Sequence, residues 1–246
     1  MGRSLRHGWI EPRAEMTGVL KPGLDFRRFI LDNTAILSPP YVPEIKLHLA
    51  DEAHELWRKT EEELGQIGLP PPFWAFAWAG GQGLARHVLD NPEWVHGKRV
   101  LDFATGSGLV AIAAAKAGAA VVLAADTDKF AGDAVRMNAR LNNVMVDCTE
   151  TDLTGQLHDY ELVLAGDVFY DRQMTETIVP WFEQLAASGT EVLTGDPGRS
   201  YLPRDRLTKL SVHEVRVTRA LEDADVKHTT VWQFRSRGAP FTAARS

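Results

Sequence analysis

Cysteine is almost absent: Cys148 is the single one in 246 residues. That excludes an intrachain disulfide and a cysteine zinc cluster, and it suits a reducing compartment. Cys148 itself reads as a small strand residue. No apolar run approaches the ~20 residues that a membrane helix needs. Positive charge is short as well. Lys and Arg number 27 against 33 Asp and Glu, a formal net charge of −6, so no basic field invites nucleic acid. The 8 histidines show no close-spaced ligand pair, and no metal is expected. The first 22 residues carry Arg3, Arg6, Arg13 and Lys21 against Glu11 and Glu15. They lack the apolar core of a secretory signal; a mitochondrial presequence stays open, weakened by the two glutamates. There is no internal repeat and no low-complexity tract.

What remains is ordinary for a soluble globule: 44% apolar and 24% charged residues. The length allows one α/β domain with an added segment. Residues 1–23 read as a flexible tail and 24–96 as an N-terminal helical, substrate-facing segment. That segment holds a short amphipathic helix over 25–31 and a loop punctuated by Pro39, Pro40 and Pro43. Ala53, Leu56, Trp57 and Leu64 recur near helical spacing among charges and predict a helix over 51–64. Gly65, Gly68 and Pro70 to Pro72 end it. The aromatic run Phe73 to Trp78 precedes Gly80 and Gly81, then a helix to about Leu89.

From residue 97 to 246 the chain reads as a cofactor-binding domain in which strand and helix alternate. Strands are predicted over 99–103, 120–125, 144–148, 160–165 and 191–194, and helices over 109–116, 130–141 and 172–187. The strands are short apolar runs, as expected where helices cover both faces of a parallel sheet. The end differs: 212–217 and 229–234 lack a helix-length connection and read as an antiparallel pair. The expected fold is α/β, a Rossmann-like, seven-stranded, mostly parallel sheet with a C-terminal antiparallel hairpin.

The richest segment is Val100-Leu101-Asp102-Phe103-Ala104-Thr105-Gly106-Ser107-Gly108. A strand ends in a carboxylate, then come a small-residue loop and a helix, and a second strand ends at Asp126. The loop of Thr105, Gly106 and Gly108 lets backbone approach a ligand, and the helix N-terminus favours an anionic group. Asp126 lies where an acid reaches a ribose diol. Gly106 to Ala111 even fits the dinucleotide pattern G-x-G-x-x-A, so an NAD(P)-dependent oxidoreductase is a competing reading. Asp102 speaks against it, because a pyrophosphate avoids a carboxylate at the loop mouth. The methionine end of S-adenosyl-L-methionine carries an ammonium and a sulfonium, which an acid attracts.

Acids recur at the predicted strand ends: Asp102, Asp126, Asp152, Asp167 and Asp196. In open α/β sheets ligands bind outside the carboxyl ends of strands. By polarity, Asp102 faces the methionine ammonium, Asp126 accepts from the ribose hydroxyls, and Asp152 and Leu153 flank the adenine. As a helix cap, Asp152 has an equally good explanation. Trp78 is a candidate cover for the cofactor, and Gly81 with Gly80 permits a close backbone pass. Asp167, Phe169 and Tyr170, after the fourth strand, form the candidate reaction site. Asp167 would orient an amine through a charge-assisted hydrogen bond, while the two rings shape a channel tolerant of a cation. The rings also read as core packing. A lysine nucleophile must lose a proton whose reference pKa is about 10.4, costing about 4.6 kcal/mol at pH 7. Capture and orientation therefore suit Asp167 better than the role of an obligate base.

With these residues in view, the chain resembles the seven-strand (class I) protein-lysine methyltransferases, and in particular those acting on the β subunit of electron transfer flavoprotein. The carrying segments are PFWAFAWAGGQGLARHVLDNP at 72–92, GKRVLDFATGSG at 97–108, AADTD at 124–128, LAGDVFYD at 164–171, TGDPGR at 194–199 and TTVWQF at 229–234. The resemblance spans most of residues 40–235. It implies that Asp167, Phe169 and Tyr170 are the family's catalytic D-x-F-Y element and that Asp102, Gly106 and Asp126 hold S-adenosyl-L-methionine. It further implies electron transfer flavoprotein β as the protein partner. Ala104 departs from the Gly often found there. A small-molecule, nicotinamide-like N-methyltransferase is the nearest alternative. Abundant arginine and alanine with little lysine point to a GC-rich bacterial gene and a cytoplasmic protein, or a matrix one were the source eukaryotic.

Overall fold

The computed structural model describes residues 25–50, 56, 72–217 and 225–235. The expected tail over 1–23 lies outside them, as does the helix over 51–64 apart from Leu56. The chain begins with α1 (Phe26–Asn33), capped by Asp25, whose carboxylate accepts from Arg28 N. A ribbon follows, β1 (Ala35–Leu37) antiparallel to β2 (Leu47–Leu49). A 3₁₀ turn at Phe73–Ala75 leads into α2 (Ala79–Asp90).

The alternating region supplies β3 (Arg99–Phe103), α3 (Leu109–Lys116), β4 (Val121–Ala125), α4 (Lys129–Leu141), β5 (Asp147–Thr149), β6 (Leu162–Gly166), α5 (Arg172–Ala187) and β7 (Glu191–Asp196). Two long strands, β8 (Leu207–Arg216) and β9 (Val226–Phe234), close it. The sheet runs β5-β4-β3-β6-β7-β9-β8. β3 to β7 are parallel, and β9 pairs antiparallel with both β7 and β8. The seven-stranded, mostly parallel sheet with an antiparallel end is as the sequence predicts. Strand order reverses between β3 and its two neighbours, β4 and β6, which is the switch point where such sheets bind ligands.

Alternation along each strand splits the core. Val100 of β3 and Leu193 of β7 pack on one face with Leu84, Val110 and Val135 of the three helices α2, α3 and α4. Leu101 and Phe103 pack on the other with Trp181 and Phe182 of α5. A third cluster joins Ile30, Leu56, Trp74 and Phe130. Trp74 stacks on Phe130 at 5.5 Å, which ties the N-terminal segment to α4.

Helix α2 presses its first turn onto the ends of β6 and β7 through glycine alone. A Cβ on Gly80 would lie 2.3 Å from Gly195 O, and one on Gly166 would lie 2.8 Å from Gly81 Cα. Those distances leave no room for a side chain.

β9 starts three residues earlier than predicted and β6 two residues later, and three further expectations move. β5 sits at Asp147–Thr149, not 144–148, because Val144 N donates to Ala139 O and closes the end of α4. β8 starts five residues before the predicted 212, as an edge strand whose mixed, half-exposed residues carry a weak apolar signal. The β1–β2 ribbon lies in the region read as loop. Among the described residues no helix is long and apolar enough to cross a membrane, and none of their His, Cys, Asp and Glu side chains cluster to hold a metal.

Candidate active site

The carboxyl ends of β3, β4, β6 and β7 bring Asp102, Asp126, Asp167 and Asp196 to one rim. Asp102, inside β3, is 1% exposed. Its Oδ2 accepts from Thr105 Oγ1 at 2.5 Å and from Ala111 N of α3 at 2.9 Å. Burial is the main cause that pushes it up to about 7, against the pull of those two donors. The carboxylate thus braces the Gly-rich loop while lying at its mouth.

The loop itself turns left-handed at Ala104 (φ 53), Gly106 (φ 53) and Gly108 (φ 79). Alanine at 104 therefore keeps the turn that glycine would allow, with some strain. Gly108 is the N-cap of α3. Asp126 takes the loop from the far side: its Oδ2 accepts from Gly106 N at 2.9 Å and its Oδ1 from Asp128 N at 3.0 Å. Burial raises this acid too. From above, Asn138 of α4 donates to Ser107 O at 2.8 Å and accepts from His48 N of β2 at 2.7 Å.

Asp152 is exposed and accepts from Thr154 N at 2.9 Å, a local turn that satisfies it without a helix cap. Leu153 is buried beneath the rim, in the cluster with Phe103 and Ala125. Trp78 is half-buried and donates from Nε1 to Phe73 O at 3.0 Å. Its ring lies 5.8 Å from Phe73, which in turn lies 5.4 Å from Tyr170. Gly81, in the first turn of α2, packs its Cα against the Gly166 backbone.

Asp167 follows β6 in the left-handed region (φ 60). Its N donates to Gly195 O at 2.9 Å, its Oδ2 accepts from Gly80 N at 2.5 Å and its Oδ1 from Arg199 Nε at 2.7 Å. A non-glycine residue held at positive φ by three partners is an over-determined conformation of the kind found at functional sites. Tyr170 is 46% exposed and opens onto the same rim. Burial first, then Asp126, Asp171 and Asp167, push its hydroxyl up to about 12, so it stays a neutral donor. Phe169 differs: it is fully buried and packs 6.4 Å from Phe234. Its ring belongs to the core, and it sets the backbone from which Asp167 and Tyr170 emerge.

Sequence reading passes over two contributors, Arg199 and Asp128, and misses the partner of a third. Arg199 sits in the TGDPGR segment but 32 residues from its partner. Gly80, read as a place of close backbone approach, reaches Asp167 across 87 residues. Asp128 caps α4 through Phe130 N at 2.9 Å, and burial pushes it up to about 7. Its place in the AADTD turn, just before a predicted helix, was the available signal.

A family model described as ribosomal protein L11 methyltransferase (PrmA) matches residues 87–169. The electron transfer flavoprotein beta subunit lysine methyltransferase of Xenopus laevis is 39% identical over 215 residues, covering 85% of this chain and 86% of that protein. The protein of that name from Danio rerio is 36% identical over 221 residues, with 87% and 84% covered. Among solved structures, a ribosomal protein L11 methylase from Lactobacillus delbrueckii subsp. bulgaricus aligns over 63% of this chain and 77% of that one, at 21% identity and a TM-score of 0.46. The two relatives make the chain a methyltransferase, and its own strand order makes it one of the doubly wound α/β kind. More narrowly, it belongs to the family of electron transfer flavoprotein beta subunit lysine methyltransferases.

Proposed function

We propose that this chain transfers methyl groups from S-adenosyl-L-methionine to lysine side chains on the β subunit of electron transfer flavoprotein. The observation that carries the reading is the placement of Asp167, anchored at positive φ beside the open ring of Tyr170 on a rim of carboxylates. The relatives' shared name supplies the acceptor.

The residues fit the donor by their chemistry. Two buried acids, Asp102 and Asp126, are raised by desolvation, and a cationic ligand beside them would offset that cost. A pyrophosphate would add to it, which disfavours a dinucleotide. Asp126 would accept from the ribose hydroxyls, the 105–108 loop would pass along the ligand, and Leu153 with Asp152 would border the base. Trp78 would cover it. When bound, S-adenosyl-L-methionine supplies a methyl carbon made electrophilic by its sulfonium.

The chain's own task is placement. Methyl transfer is an in-line displacement, and its rate depends on holding the nucleophile at the right distance and angle. Asp167 would accept a hydrogen bond from the lysine nitrogen, while the Phe73 and Tyr170 faces guide the side chain. The open edge of Tyr170 favours a protein-borne lysine over an enclosed small molecule.

Incubation with methyl-labelled donor, the flavoprotein β subunit and, separately, nicotinamide tests this. Label is expected in lysines of the subunit and not in nicotinamide. Labelled nicotinamide with an unlabelled subunit would contradict the proposal.

A further inference from the structure

The ion pair between Asp167 and Arg199 has a consequence for the nucleophile. Lysine attacks only as the neutral amine, yet a bare carboxylate beside it favours the ammonium, which has no lone pair. An acid whose only task was capture would work best without a resident cation. Here Arg199 Nε lies 2.7 Å from Asp167 Oδ1, with the arginine side chain 19% and the aspartate 7% exposed. The arginine is placed with care. Asp196, at the end of β7, accepts on Oδ1 from Gly198 N at 2.6 Å and from Arg199 N at 2.8 Å, which turns the loop back over Asp167.

We propose that Arg199 is a positioning residue for methyl transfer: it neutralises Asp167, so that this carboxylate orients the incoming lysine without holding it protonated. This inference rests on the lysine-methyltransferase reading above. The pair leaves Asp167 with oxygen lone pairs able to accept a hydrogen bond, but with little net charge to favour the ammonium. The lysine proton passes to water. The amine lone pair then forms the N–C bond while the C–S bond of the donor breaks, its electron pair remaining on sulfur.

Among the described residues, the charged and titratable groups facing this point come from three directions. The β6–α5 loop contributes Asp167, Tyr170 and Asp171, whose Oδ1 is engaged by Met174 N at the α5 cap. β4 contributes Asp126, and β7 with its loop contributes Asp196 and Arg199, with Arg204 acting on Asp196 from further along. The first turn of α2 brings backbone only, with no acidic side chain. Arg199 thus balances this group of acids where they surround the nucleophile.

The test is the pH dependence of kcat for methylation of the β subunit. Arg199→Met should move the rising limb to higher pH by about one unit or more, because an unbalanced carboxylate raises the lysine pKa. For each pH unit that the limb moves, kcat at neutral pH falls about tenfold, by the Henderson–Hasselbalch relation for the amine fraction. Activity recovers in alkali, while KM for the subunit stays level or falls. Arg199→Lys, which retains the charge, should keep the wild-type profile. Arg199→Gln serves if the methionine variant does not fold, and melting with adenosylhomocysteine affinity checks each protein. A purely structural role would lower kcat by one factor at every pH. A variant profile that overlays the wild type after scaling, or a lysine variant displaced as far as the methionine one, overturns the inference. Absence of methylation by the wild-type protein would instead overturn the functional reading itself.

Discussion

Asp102 shows what a buried strand-end acid costs. In the unfolded chain it ionises near ~3.9; in the fold, burial pushes it up to about 7. Between those values the folded state keeps a proton that the unfolded state has released. Its contribution to stability is full below the lower value and is lost as pH rises through the upper one. Asp128 moves in the same direction, up to about 7. His48, His87 and His213, lowered mainly by burial, act in the opposite sense over part of this range, so the prediction is a difference between two proteins. From pH 5 to pH 8 the ligand-free wild type is expected to lose melting temperature relative to Asp102→Asn, whose amide does not titrate. Parallel curves for the two proteins in calorimetric scans would contradict the assignment. Asp102 and Asp126 are legible in the sequence because each ends an apolar run. Arg199 is not, since its meaning lies in a carboxylate that only the β6–β7 pairing brings beside it.

The Gly-rich loop depends on an element far from it in sequence. Asn138 of α4 joins Ser107 O to His48 N of β2 and is fully buried. Asn138→Ala would leave a buried carbonyl and a buried amide unpaired, at a cost on the order of 2–4 kcal/mol. Urea unfolding should show that loss, and adenosylhomocysteine should bind more weakly to the folded variant because the loop at 105–108 loses its brace. An unchanged midpoint would sink this account of the ribbon. Helix α5 was fully legible, since Asp171 caps it and its apolar spacing is regular. The ribbon was not. Three residues in each strand carry no readable period, and β1 is exposed along its length. The glycine contact of α2 with β6 and β7 was half legible: paired glycines mark a close approach, but not to what.

At the scale of the molecule, among the described residues, the aspartates at the carboxyl ends of the strands gather on one rim, while the opposite ends carry ordinary ion pairs, such as Lys98 with Glu191 at 2.6 Å. That asymmetry follows from sheet direction, because parallel strands present all their carboxyl ends on the same side. A cationic donor and a cationic acceptor then meet where carboxylates can receive both, with Asp167 at the junction. Intact-mass spectrometry of the flavoprotein β subunit, after incubation with donor and either wild type or Asp167→Ala, tests this most directly when paired with calorimetry of adenosylhomocysteine on both enzymes. Added methyl groups are expected with the wild type, at least about a hundredfold slower transfer with the variant, and similar product affinity for the two. Equal methylation by both proteins would contradict that role for Asp167.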